Sequence, residues 1–349
     1  MAAKKKRFET FAERDRKKFV SESFGNIFVT ACFLCLTQPL FNFIARLLLP
    51  DSPSSAASAC VFAVVTAIYK GLGVYMPFLI YQVASTGRTD TCFRRVSSAR
   101  PWHYALGIPA CACIAAAVWY AASVAVGALR QSGYIVTEPA PVLTGDALVY
   151  AAVILSSAVI VPLFEEMAFR GVLMGSLMDK AGGWSVLISA VVGACAHPTF
   201  MQLPYSFIIN LIIAWLYYRT RSLWLTYALN AAASGAVAAA YSLSYAYPDT
   251  FAARMPSAAV ILGIFGLLCA LAAVLLSVKF VTRPRKRDFS TRECTKGTLL
   301  SLLFWIIIIA AGFRLFMQIY KPDPEEDPQT AEPGTYEPAD TQPSMYAFE

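Results

Sequence analysis

The sequence predicts an all-α protein, a polytopic transmembrane helix bundle of about nine spans. Three observations carry that expectation. Of 349 residues, 57% are hydrophobic and only 15% are charged, whereas soluble chains carry about a quarter of charged residues. Apolar stretches repeatedly reach the roughly 20 residues that a helix needs to cross a bilayer. The lysines and arginines gather in every second loop between those stretches, as topology demands. The length therefore describes one membrane domain and not two soluble ones. A net charge of +7, placed in short loops and an N-terminal arm, reads as topology and lipid contact, with no nucleic-acid partner. Nine cysteines show no metal-ligand spacing, and most lie in apolar runs, where cysteine behaves as a small hydrophobe.

Residues 1–24 are strongly basic, including Lys4 to Arg7. They lack the compact apolar centre of a secretory signal and are expected to be a retained cytoplasmic arm. Residues 25–320 form the transmembrane domain. The first span is expected over about 25–49, with a kink at Pro39, and the second over about 56–82 after a turn at Asp51 to Ser55. A basic loop with Arg88, Arg94, Arg95 and Arg100 leads into the third, about 103–129. The fourth begins near Asp146 and ends at Gly182 and Gly183. The fifth covers about 184–199, and the sixth about 204–218 before Arg219 and Arg221. The seventh, about 223–245, is rich in Ala, Ser and Gly, which let helix backbones approach closely in lipid, so it belongs in the middle of the bundle. The eighth covers about 258–281 and precedes the basic run Arg283 to Arg287; the ninth covers about 298–320. Residues 321–349, rich in Pro and acidic residues, read as a disordered tail. The charge alternation puts the N-terminus inside and the tail outside, in an inner (plasma) membrane.

The chemistry concentrates at residues 162–173. Glu165 and Glu166 lie inside an apolar run, and ionisable groups within a span are costly enough to require partners. Glu166 and Arg170 are four residues apart in the favourable order for a helical ion pair. Glu165 lies roughly 100° around the helix and needs a different partner. Of the two histidines, His103 sits beside Trp102 at a span entrance, as an interfacial residue would, whereas His197 is expected within span five. A short glycine turn makes spans four and five antiparallel neighbours. At 1.5 Å per residue, Glu165 and His197 then reach similar depths, within about one turn. A carboxylate and an imidazole sharing a water can take its proton as it attacks a carbonyl.

These residues meet a family. Glu165-Glu166-Met-Ala-Phe169-Arg170-Gly171 resembles the E-E-x-x-F-R-G motif of the CPBP superfamily, intramembrane proteases that include the type II CAAX prenyl endopeptidase and bacteriocin self-immunity homologues. The stretch from Ser189 to His197 is similar to the second motif, F-x-x-x-H, with Gly193 in place of the aromatic residue. The resemblance covers about residues 146–240. Aligned without a gap from Ser222-Leu-Trp224, the third motif H-x-x-x-N falls on Asn230 and Ser234; a gapped alignment instead matches Tyr227 to Ala231. The ungapped one is preferred.

The resemblance implies a peptide hydrolase with Glu165, His197, Glu166 and Arg170 as catalytic positions. Asn230 and Ser234 would be oxyanion or substrate donors. The implied partners are membrane lipid and a peptide or membrane-protein substrate. A catalytic zinc usually has three ligands from His, Cys and carboxylate. This chain offers Glu165, Glu166 and His197, one of them committed to Arg170, so no cofactor is expected, with a divalent ion left open. Two altered motif positions make a catalytically inactive immunity or scaffold protein the alternative. A proton-coupled transporter ranks third, because no repeat of interrupted helices is evident.

Overall fold

The structure is a computed structural model describing residues 98–137, 147–280 apart from 198, and 289–320, with some positions between 15 and 80. Most of the first two expected spans, most of the N-terminal arm and the C-terminal tail lie outside the described residues. What is described is an α-helical bundle. Its helices are α1 Pro101–Gln131, α2 Ala147–Ala181, α3 Trp184–Cys195, α4 Gln202–Thr220, α5 Leu223–Ala246, α6 Pro248–Phe280, α7 Thr291–Leu299 and α8 Leu302–Met317.

Each expected span from the third to the ninth has a helical counterpart, but the count of nine is not established. Among the described residues, α1, α2, α5 and α6 are long and apolar enough to cross a membrane, and α7 with α8, bent by 58°, adds a fifth if taken as one span. The helix α3 has 12 residues, about 18 Å of length, against a hydrocarbon core of about 30 Å. It forms a hairpin with α4, and the described residues of the hairpin tip are 196, 197 and 199–201.

Local sequence explains the joints. In α2, Pro162 lacks an N–H and its ring crowds the preceding turn. The chain responds with a wide, π-helical turn over Ser156–Ile160, and a second, beyond the proline's reach, follows over Met167–Met174, with the α segment Val161–Glu166 between them. Gly182 ends α2 with φ of 57°, a conformation that glycine adopts without steric cost. Ser222 caps α5, its hydroxyl accepting from Leu225 N–H. His103 proves to be more than interfacial: it is fully buried, and its Nδ1 accepts from Arg100 N–H at 2.9 Å at the start of α1.

Hydrogen bonds tie the helix ends into two levels. At one end Ser98 N–H donates to Thr220 O at 2.9 Å and Phe289 N–H to Lys180 O at 2.8 Å. Arg219 donates to Ser277 O at 3.0 Å, and Arg221 pairs with Asp179 at 2.9 Å. This is the basic end. At the other, β1 Ile135–Val136 pairs antiparallel with β2 Ile319–Tyr320, and Arg130 donates to Val136 O at 2.9 Å. Between the levels, α5 touches α1, α2, α4 and α6, the central place expected of its small residues. α1 packs against α6 so closely that a Cβ on Gly266 would lie 2.8 Å from Ile114 Cγ1. At the basic end, α7 is fixed by a capping box in which Ser290 Oγ accepts from Glu293 N–H and Glu293 accepts from Ser290 N–H.

Candidate active site

The α segment between the two wide turns of α2 carries both glutamates inward. Glu165 and Glu166 are buried, and Arg170 has no solvent exposure at all. Arg170 Nη1 donates to Glu166 Oε1 at 2.8 Å, the pair expected from their spacing. Its other terminal nitrogen, Nη2, donates to Asn210 Oδ1 on α4 at 2.6 Å. Asn210 is itself oriented by donating Nδ2 to Ser206 O at 2.8 Å.

Glu165 faces the hairpin tip. Its Oε1 lies 3.1 Å from His197 Nε2. His197 is not inside a helix, as the sequence suggested, but just past the end of α3, which stops at Cys195. The chain breaks there because Pro198 follows, and the residue before a proline is pushed out of helical geometry. Backbone that is irregular at membrane depth persists where protein buries it or where it lines a watery cavity. The expected closeness of Glu165 and His197 therefore holds, but a loop presents the imidazole.

From α5, Asn230 Nδ2 donates to Glu165 Oε2 at 3.0 Å and to Glu166 Oε1 at 2.9 Å. Both of its amide hydrogens are thereby engaged. Ser234 Oγ donates to Asn230 Oδ1 at 3.4 Å, one turn further along the same face. All six residues singled out in the sequence thus gather in one network. It borders a cavity of about 170 Å³, lined by Glu165, His197, Asn230 and Ser234 together with Trp119, Gln202, Tyr205, Asn210 and Tyr241.

Asn210 was not anticipated. A signal for it existed in Gly193, which stands where the second motif has an aromatic residue. A Cβ on Gly193 would lie 2.7 Å from Asn210 Oδ1 and 2.8 Å from its Cγ. The absent side chain on α3 makes room for the amide on α4, which in turn holds Arg170.

A divalent ion suits this donor set poorly. Glu166 Oε1 already receives a guanidinium and an amide, and a cation placed beside Arg170 would meet like charge at close range. Among the described residues, no group of three or more His, Cys, Asp or Glu forms a candidate metal site.

Residues 147–235 match the family model described as Type II CAAX prenyl endopeptidase Rce1-like, which supports the CPBP-like resemblance and, in general terms, intramembrane protease function. No curated protein and no solved structure matches the chain.

Proposed function

We propose, from the CPBP-like segment at residues 147–235, that the protein is an intramembrane endopeptidase that hydrolyses a peptide bond with a water activated by Glu165 and His197. The observation that carries this reading is the 3.1 Å contact between Glu165 Oε1 and His197 Nε2 at the wall of the cavity. Glu165 takes a proton from the water as its oxygen attacks the carbonyl carbon. Glu165 hands that proton across the contact to His197, which delivers it to the departing amine as the C–N bond breaks, so both groups return to their starting state. Arg170 holds Glu166, and Asn230 holds the two carboxylates in register, so each is a positioning residue. Ser234 keeps the oxyanion role by turning its hydroxyl away from Asn230 Oδ1, a long bond at 3.4 Å, towards the carbonyl oxygen as charge develops there.

The alternative, an inactive immunity or scaffold protein, draws on the amide and hydroxyl that replace the third motif's histidine and asparagine. Cleavage of a membrane-reconstituted peptide library, read by mass spectrometry, separates the two. Glu165→Gln and His197→Ala should each abolish cleavage while folded yield and thermal midpoint stay near those of the parent chain, and strong chelators should have little effect. Full activity in Glu165→Gln would leave the scaffold reading standing.

A further inference from the structure

The site is not centred between the two ends of the bundle, and its asymmetry bears on the substrate. Towards the basic end the site is sealed: Arg170, Glu166 and Thr226, which lies one turn before Asn230 on α5, have 0%, 1% and 0% exposure. Away from that end exposure returns. The His197 side chain is 18% exposed, and Gln202, Tyr205 and Tyr241 are half-buried around it. Three cavity residues mark how far the space extends. Trp119, Gln202 and Tyr241 each lie eighteen residues from the basic-end residue of their helix (101 to 119, 220 to 202, 223 to 241). That is about 27 Å of helix, close to the whole hydrocarbon thickness of about 30 Å. Asn210 and Asn230 lie only ten and seven residues from the same level (220 to 210, 223 to 230), about 15 and 10 Å. The cavity therefore has its floor towards the basic end and extends towards the other. The end of α3 at Cys195 leaves that side of the cavity to the hairpin tip, whose His197 and Met201 line it together with Gln202.

Charge assigns the two ends to compartments. Described residues at the basic end include Arg100, Lys180, Arg219, Arg221, Lys279, Arg292 and Lys296, and the sequence adds Arg283 to Arg287 between α6 and α7. Those basic residues outweigh Asp179 and Glu293 at the same end, whereas the far ends of the described helices hold Arg130, Arg254 and Arg314 with Asp249. By the positive-inside rule the basic end is cytoplasmic. We infer that the site is entered from the non-cytoplasmic half of the bilayer, and that its substrate is a peptide segment presented there, in a membrane-spanning or translocated protein. The tail of a cytoplasmic protein does not meet this entrance. The substrate part of this inference rests on the hydrolase reading; the direction of access does not.

Sealed right-side-out vesicles treated with a membrane-impermeant maleimide test it, with the parent chain as the blank for native cysteines. The Gln202→Cys variant should label from outside, together with an exposed far-end control, Arg254→Cys. The basic-end control, Lys279→Cys, should label only after permeabilisation. Labelling of Gln202→Cys that follows Lys279→Cys overturns the inference. So does an absence of labelling in permeabilised vesicles where both controls react, because the cavity is then closed to water. A quenched peptide supplied on one side or the other of proteoliposomes gives the second arm. Cleavage from the far side supports the substrate class, and cleavage from the basic side alone overturns it. Far-side labelling with no cleavage from either side retires the hydrolase reading and leaves the direction of access intact.

Discussion

At the scale of the residue, the site depends on a guanidinium that has no water to fall back on. Arg170 donates to Glu166 and to Asn210 from a fully buried position. Removing one partner of such a pair leaves a stranded charge, typically at about 3–5 kcal/mol. Arg170→Ala should therefore lower the folded yield and the thermal midpoint far more than Glu165→Gln does, in a side-by-side unfolding comparison in detergent. Gly193 offers a subtler probe. In Gly193→Ala the new methyl group must push against an Asn210 amide already held by Arg170 and by Ser206 O, which costs about 1–3 kcal/mol. Gly193→Ala and Asn210→Ala should be markedly non-additive in thermal unfolding, because both act on one contact; additive losses would mean that the two residues do not share it. These residues also show how far the site was legible in the sequence. Glu166–Arg170 could be read from helical spacing and Glu165–His197 from a short antiparallel turn. The link from Arg170 to Asn210 could not, since 40 residues separate the two and only the packing of α3 on α4 brings them together.

At the scale of the element, α7 is the piece that the sequence described least well. The ninth span was expected to begin near Thr298, but the structure has a separate amphipathic helix at 291–299, bent by 58° from the following apolar one. Its polar face is engaged by the N-terminal region: Arg16 donates through Nε and Nη2 to the two carboxylate oxygens of Glu293. On the other side, Phe24 and Phe28 pack with Phe289 and Phe304. The bond from Arg16, aided by Ser290, pulls the Glu293 carboxyl down to about 2. A carboxyl with a lowered value stabilises the docked arrangement fully above its ordinary value near 4.5, and that stabilisation fades as pH falls towards about 2. The N-terminal segment should thus stay protected from proteolysis at pH 5 and above and lose protection on acidification. Glu293→Gln should lose protection already at neutral pH; an unchanged digestion pattern in that variant would show that the aromatic contacts alone hold the segment.

At the scale of the whole molecule, composition and loop charge were enough for the fold class, because a chain that is 57% hydrophobic and basic in alternate loops has few other ways to satisfy its backbone in lipid. Counting apolar runs did not distinguish a crossing helix from a short one. The runs at 184–199 and 204–218 each look long enough on paper, yet the first stops at Cys195, where the chain approaches Pro198. The depth at which His197 is offered follows from where that helix stops. The short helix also shapes the surface of the bundle. Leu187 on its flank is 40% exposed, and α3, about 18 Å long, runs beside α4, which is about 28 Å long. An apolar flank that stops part-way across a hydrocarbon core of about 30 Å is a hydrophobic mismatch, which bilayers meet by tilting the helix or by local thinning.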